Sequence, residues 1–171
     1  MFKDAKSLII FNNPHKWIFA IVNMQIFDFN SNYEFYNSYH GNIINKWIHI
    51  LCIPAIVWST IVLLSDYNFY RYNVSTVLLL FYSGYYTILN PVLAIVAVPL
   101  LFYCFFSALT FKWNYPDYKW RALTVFAIAW IFQFIGHCVF EGNAPALTDS
   151  ILQAFLMAPL FVVHELISII I

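Results

Sequence analysis

Residues 74–111 read VSTVLLLFYSGYYTILNPVLAIVAVPLLFYCFFSALTF, 38 consecutive positions without a charged side chain. One helix over that stretch would run roughly 57 Å at about 1.5 Å per residue. That is nearly twice the ~30 Å hydrocarbon core of a bilayer. The chain has to break, and Asn90-Pro91 supplies the break, because the proline ring disfavours helical dihedrals at the residue before it. The stretch predicts two apolar helices, 74–89 and 91–111, each a full or a partial crossing.

Similar segments flank it. From Trp47 to Ser65 only His49 is potentially charged. Ala122 to Phe140 and Ile151 to Ile171 give two more apolar segments, the last with Pro159 as an expected kink. The fold class expected is all-α, a polytopic membrane bundle of about four to five hydrophobic helices. An N-terminal amphipathic helix over Trp17 to Phe27 is expected to lie on the bilayer surface or on the bundle. Two regions follow: an N-terminal extension, 1–34, and a membrane-embedded catalytic bundle, 35–171.

Composition agrees. Of the 171 residues, 63% are hydrophobic and 9% charged, and mean hydropathy is +0.74. Soluble domains carry about 25% charged residues, so most of this outer surface is expected to face lipid. With zero net charge and no basic block, nucleic acid is excluded as a partner. Cys52, Cys104 and Cys138 sit in apolar runs and read as small buried residues rather than a disulfide framework.

The polar residues inside apolar segments carry the functional signal. Beyond Arg121 there is no Lys or Arg, yet Glu141, Asp149 and Glu165 are present. A carboxylate in low dielectric takes a proton, a distant cation or a metal. Gln133, His137 and Glu141 are spaced four apart, a stripe along one face if the helix is continuous. Gly136 allows another backbone to approach. Upstream, YHGNIINKWIH (39–49) holds His40, Asn45 and His49. Nine residues on one helix would place the two histidines on opposite faces. They can share a site if the helix starts between them, with Asn42 as N-cap and His40 folded back from the preceding turn.

Three histidines and a carboxylate with open positions suit non-haem Fe(II). The candidate metal ligands are His40, His49, His137 and Glu141. Glu141, Gln133 and Asn45 are candidate catalytic residues, acting on a ligand imidazole or on a bound carboxylate. The alternatives left open are hydrogen-bonded residues that lock helices together, and a proton relay through His137 and Glu141 in a transport or structural protein. His15 reads as a surface residue, and His164 as an interior or interfacial one. EGNAPALTDS reads as a turn, with Gly142 and Asn143 able to take left-handed dihedrals and Thr148 or Asp149 capping the last helix.

YHGNIINKWIHILCIP (39–54) and WIFQFIGHCVFEGNAPALTDSILQAFLMAPLFVVHE (130–165) together resemble the Mpo1-like membrane 2-hydroxy fatty acid dioxygenases. The similarity spans about residues 35 to 166. It implies an Fe(II)-dependent oxidoreductase of the endoplasmic reticulum membrane. Such an enzyme uses O2 to cleave a 2-hydroxy long-chain fatty acid to the acid one carbon shorter plus CO2. That is fatty acid α-oxidation, which in fungi serves sphingoid base degradation. By the resemblance His40, His49 and His137 match the iron ligands and Glu141 an acidic partner. Two departures stand out. Gly41 replaces a second histidine found in the fungal form, and the loop 112–121 lacks a histidine found there. A fourth ligand would then come from Glu141, His164 or elsewhere.

Overall fold

The computed structural model of the protein describes residues 27–142 and 151–170. Almost all of the expected peripheral helix 17–27, the turn around Pro145 to Leu147 and the caps at Thr148 and Asp149 lie outside the described residues. Among those residues the fold is all-α, apart from one small hairpin. The helices are α1 (Phe29–Asn37), α2 (Ile43–Leu64), α3 (Val74–Leu89), α4 (Pro91–Asn114), α5 (Tyr118–Ile135) and α6 (Ile151–Ile170). A π-helical turn, Gly136–Glu141, extends α5.

The punctuation is local chemistry. Asn90 ends α3 and caps α4, its side chain accepting from the Leu93 amide at 3.1 Å, and Pro91 takes the first helical position of α4. There a missing N–H costs nothing. Asn42 caps α2 as expected, accepting from the Ile44 amide at 2.8 Å. Asp28 caps α1, accepting from the amides of Asn30 and Ser31. This helix crosses the boundary drawn at residue 34, and it packs on α6 through Phe29, Tyr33 and Tyr36, each of which meets Phe161. Asn73 caps α3 and also donates from its side-chain amide to the Ser65 carbonyl at 2.7 Å. The short strands Asn68–Phe69 and Tyr72–Asn73 pair antiparallel between α2 and α3.

Three segments are long and apolar enough to cross a membrane: Ile43–Leu64, Pro91–Asn114 and Tyr118–Glu141, with mean hydropathies of 2.1, 2.5 and 1.9. The apolar helices α3 and α6 are shorter. The five apolar segments of the sequence are therefore present, three of them at full length, in a membrane protein. Exposed Leu51, Leu80, Ile88, Val92 and Ile95 make the outside as apolar as the inside, which is how a surface facing lipid is built.

Helix α2 is central and packs on α4, α5 and α6. It runs antiparallel to α5: Asn45 meets Glu141 at one end, and Asp66, just beyond α2, meets Tyr118 at the other. Between these ends, Ala94, Ala97, Ala108, Ala122 and Ala129 are buried, letting the helices approach closely. Helix α6 continues through Pro159. Proline removes the N–H that would bond the carbonyl four residues back, here that of Phe155. The Tyr82 hydroxyl donates to that carbonyl at 3.2 Å, and Tyr86 donates to the neighbouring Leu156 carbonyl at 3.0 Å.

Two expectations need correction. The stripe through Gln133, His137 and Glu141 assumed one continuous α-helix. The backbone instead widens into i→i+5 bonding at Gly136, and the Gly142 amide closes it on the His137 carbonyl. Gln133 and His137 still line one cavity, and the extra residue changes the facing of Glu141 relative to them. Gly142 takes the left-handed conformation foreseen, φ +66. The cysteines are free, but none is fully buried: Cys52 and Cys104 are half-buried and Cys138 is exposed.

Candidate metal centre

The site is assembled where α2 begins and the π-turn ends. Glu141 is its mortar. Its Oε1 accepts from the Asn42 backbone amide at 2.8 Å and from the Asn45 side-chain amide at 3.1 Å. The Asn42 side chain donates to the Phe140 carbonyl at 3.1 Å. A carboxylate at a helix N-terminus meets unpaired N–H groups and the positive end of the helix dipole. These bonds bring His137, four residues before Glu141, to the mouth of α2.

His40 lies on the turn between α1 and α2, folded back as the sequence required. Its Nδ1 sits 2.7 Å from the Tyr36 carbonyl. His49, two turns into α2, has its Nδ1 2.9 Å from the Asn45 carbonyl. A carbonyl only accepts, so each Nδ1 carries the proton and each Nε2 is left with a lone pair. Those two Nε2 atoms face each other at 3.1 Å. The His137 ring stands near both, with centroids 4.9 Å from each. All three rings are buried, and one ligand atom from each lies within 4.8 Å of the others.

This arrangement fits a metal ion. Two lone pairs in contact repel unless a cation joins them. Burial pushes the His40 imidazole down to about 3, so it does not hold a proton at neutral pH. Metal–nitrogen bonds of about 2.1 Å at a right angle would put their donors roughly 3.0 Å apart, close to the observed spacing. Three neutral imidazoles suit Fe, Zn, Cu or Ni. Each Nδ1–carbonyl bond fixes its ring's tautomer and aim, the usual outer support of a ligand histidine.

The structure brings together His40, His49 and His137. Glu141 is linked to this set through Asn45, whose side-chain amide it accepts from and whose backbone carbonyl meets His49, and it is not among the group of converging side chains. Asn45 is fully buried, with its amide on Glu141 and its carbonyl on His49. Gln133 is buried and lines the cavity described next. His164 lies elsewhere, its ring 4.2 Å from that of Tyr33. Glu165, next to it, is buried and pairs with Lys46 at 2.9 Å and with the Tyr33 hydroxyl at 2.8 Å.

Sequence reasoning missed Tyr36. Its ring stacks on His40, with centroids 3.8 Å apart and planes at 15°, and its carbonyl orients the same imidazole. The available signal was its position four residues before His40, in a segment opened by the cap Asp28.

The three histidines stand at the head of a cavity of about 240 Å³. Below them its walls are almost entirely apolar and follow α2 through Ile53, Val57 and Ile61. From His49 to Ile61 that is roughly 18 Å of helix rise. A polar, metal-competent head on a long apolar cavity suits an amphiphile with one oxygen-rich end.

Comparison with known proteins points the same way. The family model "2-hydroxy-palmitic acid dioxygenase Mpo1-like" matches residues 26–170. The 2-hydroxy-palmitic acid dioxygenase MPO1 of Saccharomyces cerevisiae is 33% identical over 147 residues, covering 82% of this chain and 80% of that protein. No solved structure matches. With the family model covering nearly the whole chain, and the three histidines buried together at the head of an apolar cavity, the protein belongs to the Mpo1-like family.

Proposed function

We propose that the protein is an Fe(II)-dependent dioxygenase of 2-hydroxy long-chain fatty acids in the endoplasmic reticulum membrane. The observation that carries this is the lone-pair pairing of His40 and His49 beside His137, at one end of an apolar cavity. The yeast relative's name supplies the substrate class.

His40, His49 and His137 would hold the metal. Bound Fe(II) supplies the redox-active centre at which O2 oxidises the hydroxy acid. The C1–C2 bond breaks, C1 leaves as CO2 and C2 becomes the new carboxyl carbon. Hydroxy acid plus O2 yields the shorter acid, CO2 and water, which balances without an external reductant. The Gln133 amide, on the cavity wall one turn before His137, donates to the substrate carboxylate. Asn45 and Glu141 keep the His49 and His137 rings in place. The apolar walls take the acyl chain and exclude water from the head.

The test uses full-length protein purified in detergent. One iron per chain is expected. Chelation is expected to abolish conversion of 2-hydroxypalmitate to the acid one carbon shorter, and Fe(II) to restore it. A protein that binds no metal, or that turns over equally after chelation, overturns the proposal.

A further inference from the structure

Buried polar groups find partners, because an unpaired one costs about 1–3 kcal/mol. The Tyr36 hydroxyl is an exception: it is buried, and no hydrogen-bond partner faces it among the described residues. The residue is 6% exposed and lines the cavity at the histidine end, with its ring against the His40 imidazole. Its helical neighbour Tyr33 makes the contrast, since that hydroxyl is satisfied by Glu165 at 2.8 Å. Trp130 also lines the cavity with an unpaired indole N–H. It lies seven residues from His137 along the helix, roughly 10 Å, out of reach of a head group at the histidines.

We propose that the Tyr36 hydroxyl is a substrate-recognition group that donates a hydrogen bond to an oxygen of the 2-hydroxy acid head. This rests on the reading that the cavity takes a 2-hydroxy fatty acid. The chemistry matches: a hydroxy-carboxylate is rich in acceptors, and a phenol beside an imidazole cluster is a donor without an acceptor. The ring is held by the His40 stack and by Phe161, whose ring centroid is 4.8 Å away. The hydroxyl is therefore positioned before substrate arrives, and the unfavourable burial in the free protein is relieved on binding.

Tyr36→Phe keeps the ring, the stack and the backbone carbonyl on His40, and removes only the hydroxyl. Thermal unfolding of the full chain in detergent is measured with and without 2-hydroxypalmitate, together with KM, kcat and iron content. The ligand-free midpoint is expected to stay the same or rise by about 1–4 °C, because a buried orphan is lost. Iron content is expected to stay the same, and KM to rise about 5- to 20-fold with a smaller change in kcat. Tyr33→Phe, which breaks a satisfied bond, is expected to lower the midpoint and leave KM alone. A Tyr36→Phe protein with a lower ligand-free midpoint and unchanged KM overturns the proposal, because the hydroxyl would then be structural. Equal ligand-induced stabilisation of wild type and Tyr36→Phe also overturns it. Absence of any 2-hydroxypalmitate stabilisation in wild type overturns the functional reading beneath it as well.

Discussion

Gly136 and Asn45 interlock across the α2–α5 interface: the Asn45 side-chain oxygen occupies the space that a Cβ at position 136 would need. Asn45 is fully buried and its side-chain amide is held by Glu141 at 3.1 Å, so the side chain cannot move aside freely. Gly136→Ala is expected to destabilise the protein by about 1–3 kcal/mol, the usual cost of overpacking. It should also lower iron occupancy, since His137 is the next residue. Denaturant unfolding and metal analysis check both. Wild-type stability in the alanine variant would show that the interface has slack.

His40→Ala and His49→Ala are each expected to reduce turnover of 2-hydroxypalmitate at least about 100-fold and to deplete bound iron. Losing a ligand should exceed the 10- to 100-fold cost typical of an outer-shell change. Retained helical circular dichroism would separate this from misfolding. Full activity in either variant removes that histidine from the site.

Much of this was written plainly in the chain. Asn90-Pro91 marked the α3–α4 boundary because proline acts on the residue before it. Asn42 marked the start of α2, and that start made it possible for His40 and His49 to meet. What stayed hidden had physical reasons. The π-turn at 136–141 adds one residue to an apolar helix, which changes facing but not hydropathy. Helix α1 carries little apolar pattern, because its inner face uses Tyr33 and Tyr36 to join the core at Phe161, with Tyr36 also stacking on His40. Glu141 was read from its type as a ligand or a ligand's support. Its contact with the start of α2 could not be read without the tertiary fold.

Glu141 offers a sharper distinction. Its Oε1 accepts two bonds from the start of α2. Glu141→Gln keeps an acceptor and loses the charge, so iron affinity is expected to fall about tenfold or less. Glu141→Ala leaves both donors unpaired and is expected to cost about 10- to 100-fold. Iron titration of the two variants reads the difference. A loss with glutamine as large as that of His49→Ala would make Glu141 a direct ligand.

The burial of His40 sets a pH dependence. Its imidazole is pushed down to about 3 in the fold, against roughly 6.5 in an unfolded chain. Between those values the unfolded state binds the extra proton, so stability rises with pH and is lost as pH falls below about 6.5. The limiting slope is about 1.4 kcal/mol per pH unit for one proton. Metal-free protein unfolded at pH 7 and pH 5 should show this loss, and His40→Gln should show less of it.

The far end of the bundle provides a control. Asp66 lies among Lys112, Lys119 and Tyr118, with Lys119 at 2.7 Å, and these groups hold its carboxyl well below the usual range. The cluster is partly exposed, so Asp66→Asn is expected to cost about 1 kcal/mol or less, with iron content and KM unchanged. A change in either would mean that the two ends of α2 are coupled.

The π-helical turn gives the centre an unusual genetic arithmetic. An i→i+5 turn holds one residue more than the α-helix around it. Deleting a single apolar residue between Gly136 and Glu141 would let α5 close into an ordinary membrane helix. Its hydropathy would be unaltered, yet the third imidazole and its carboxylate anchor would be turned out of register. The difference between an assembled three-histidine centre and an inert transmembrane segment is here one codon, and one that leaves no trace in how greasy the helix is.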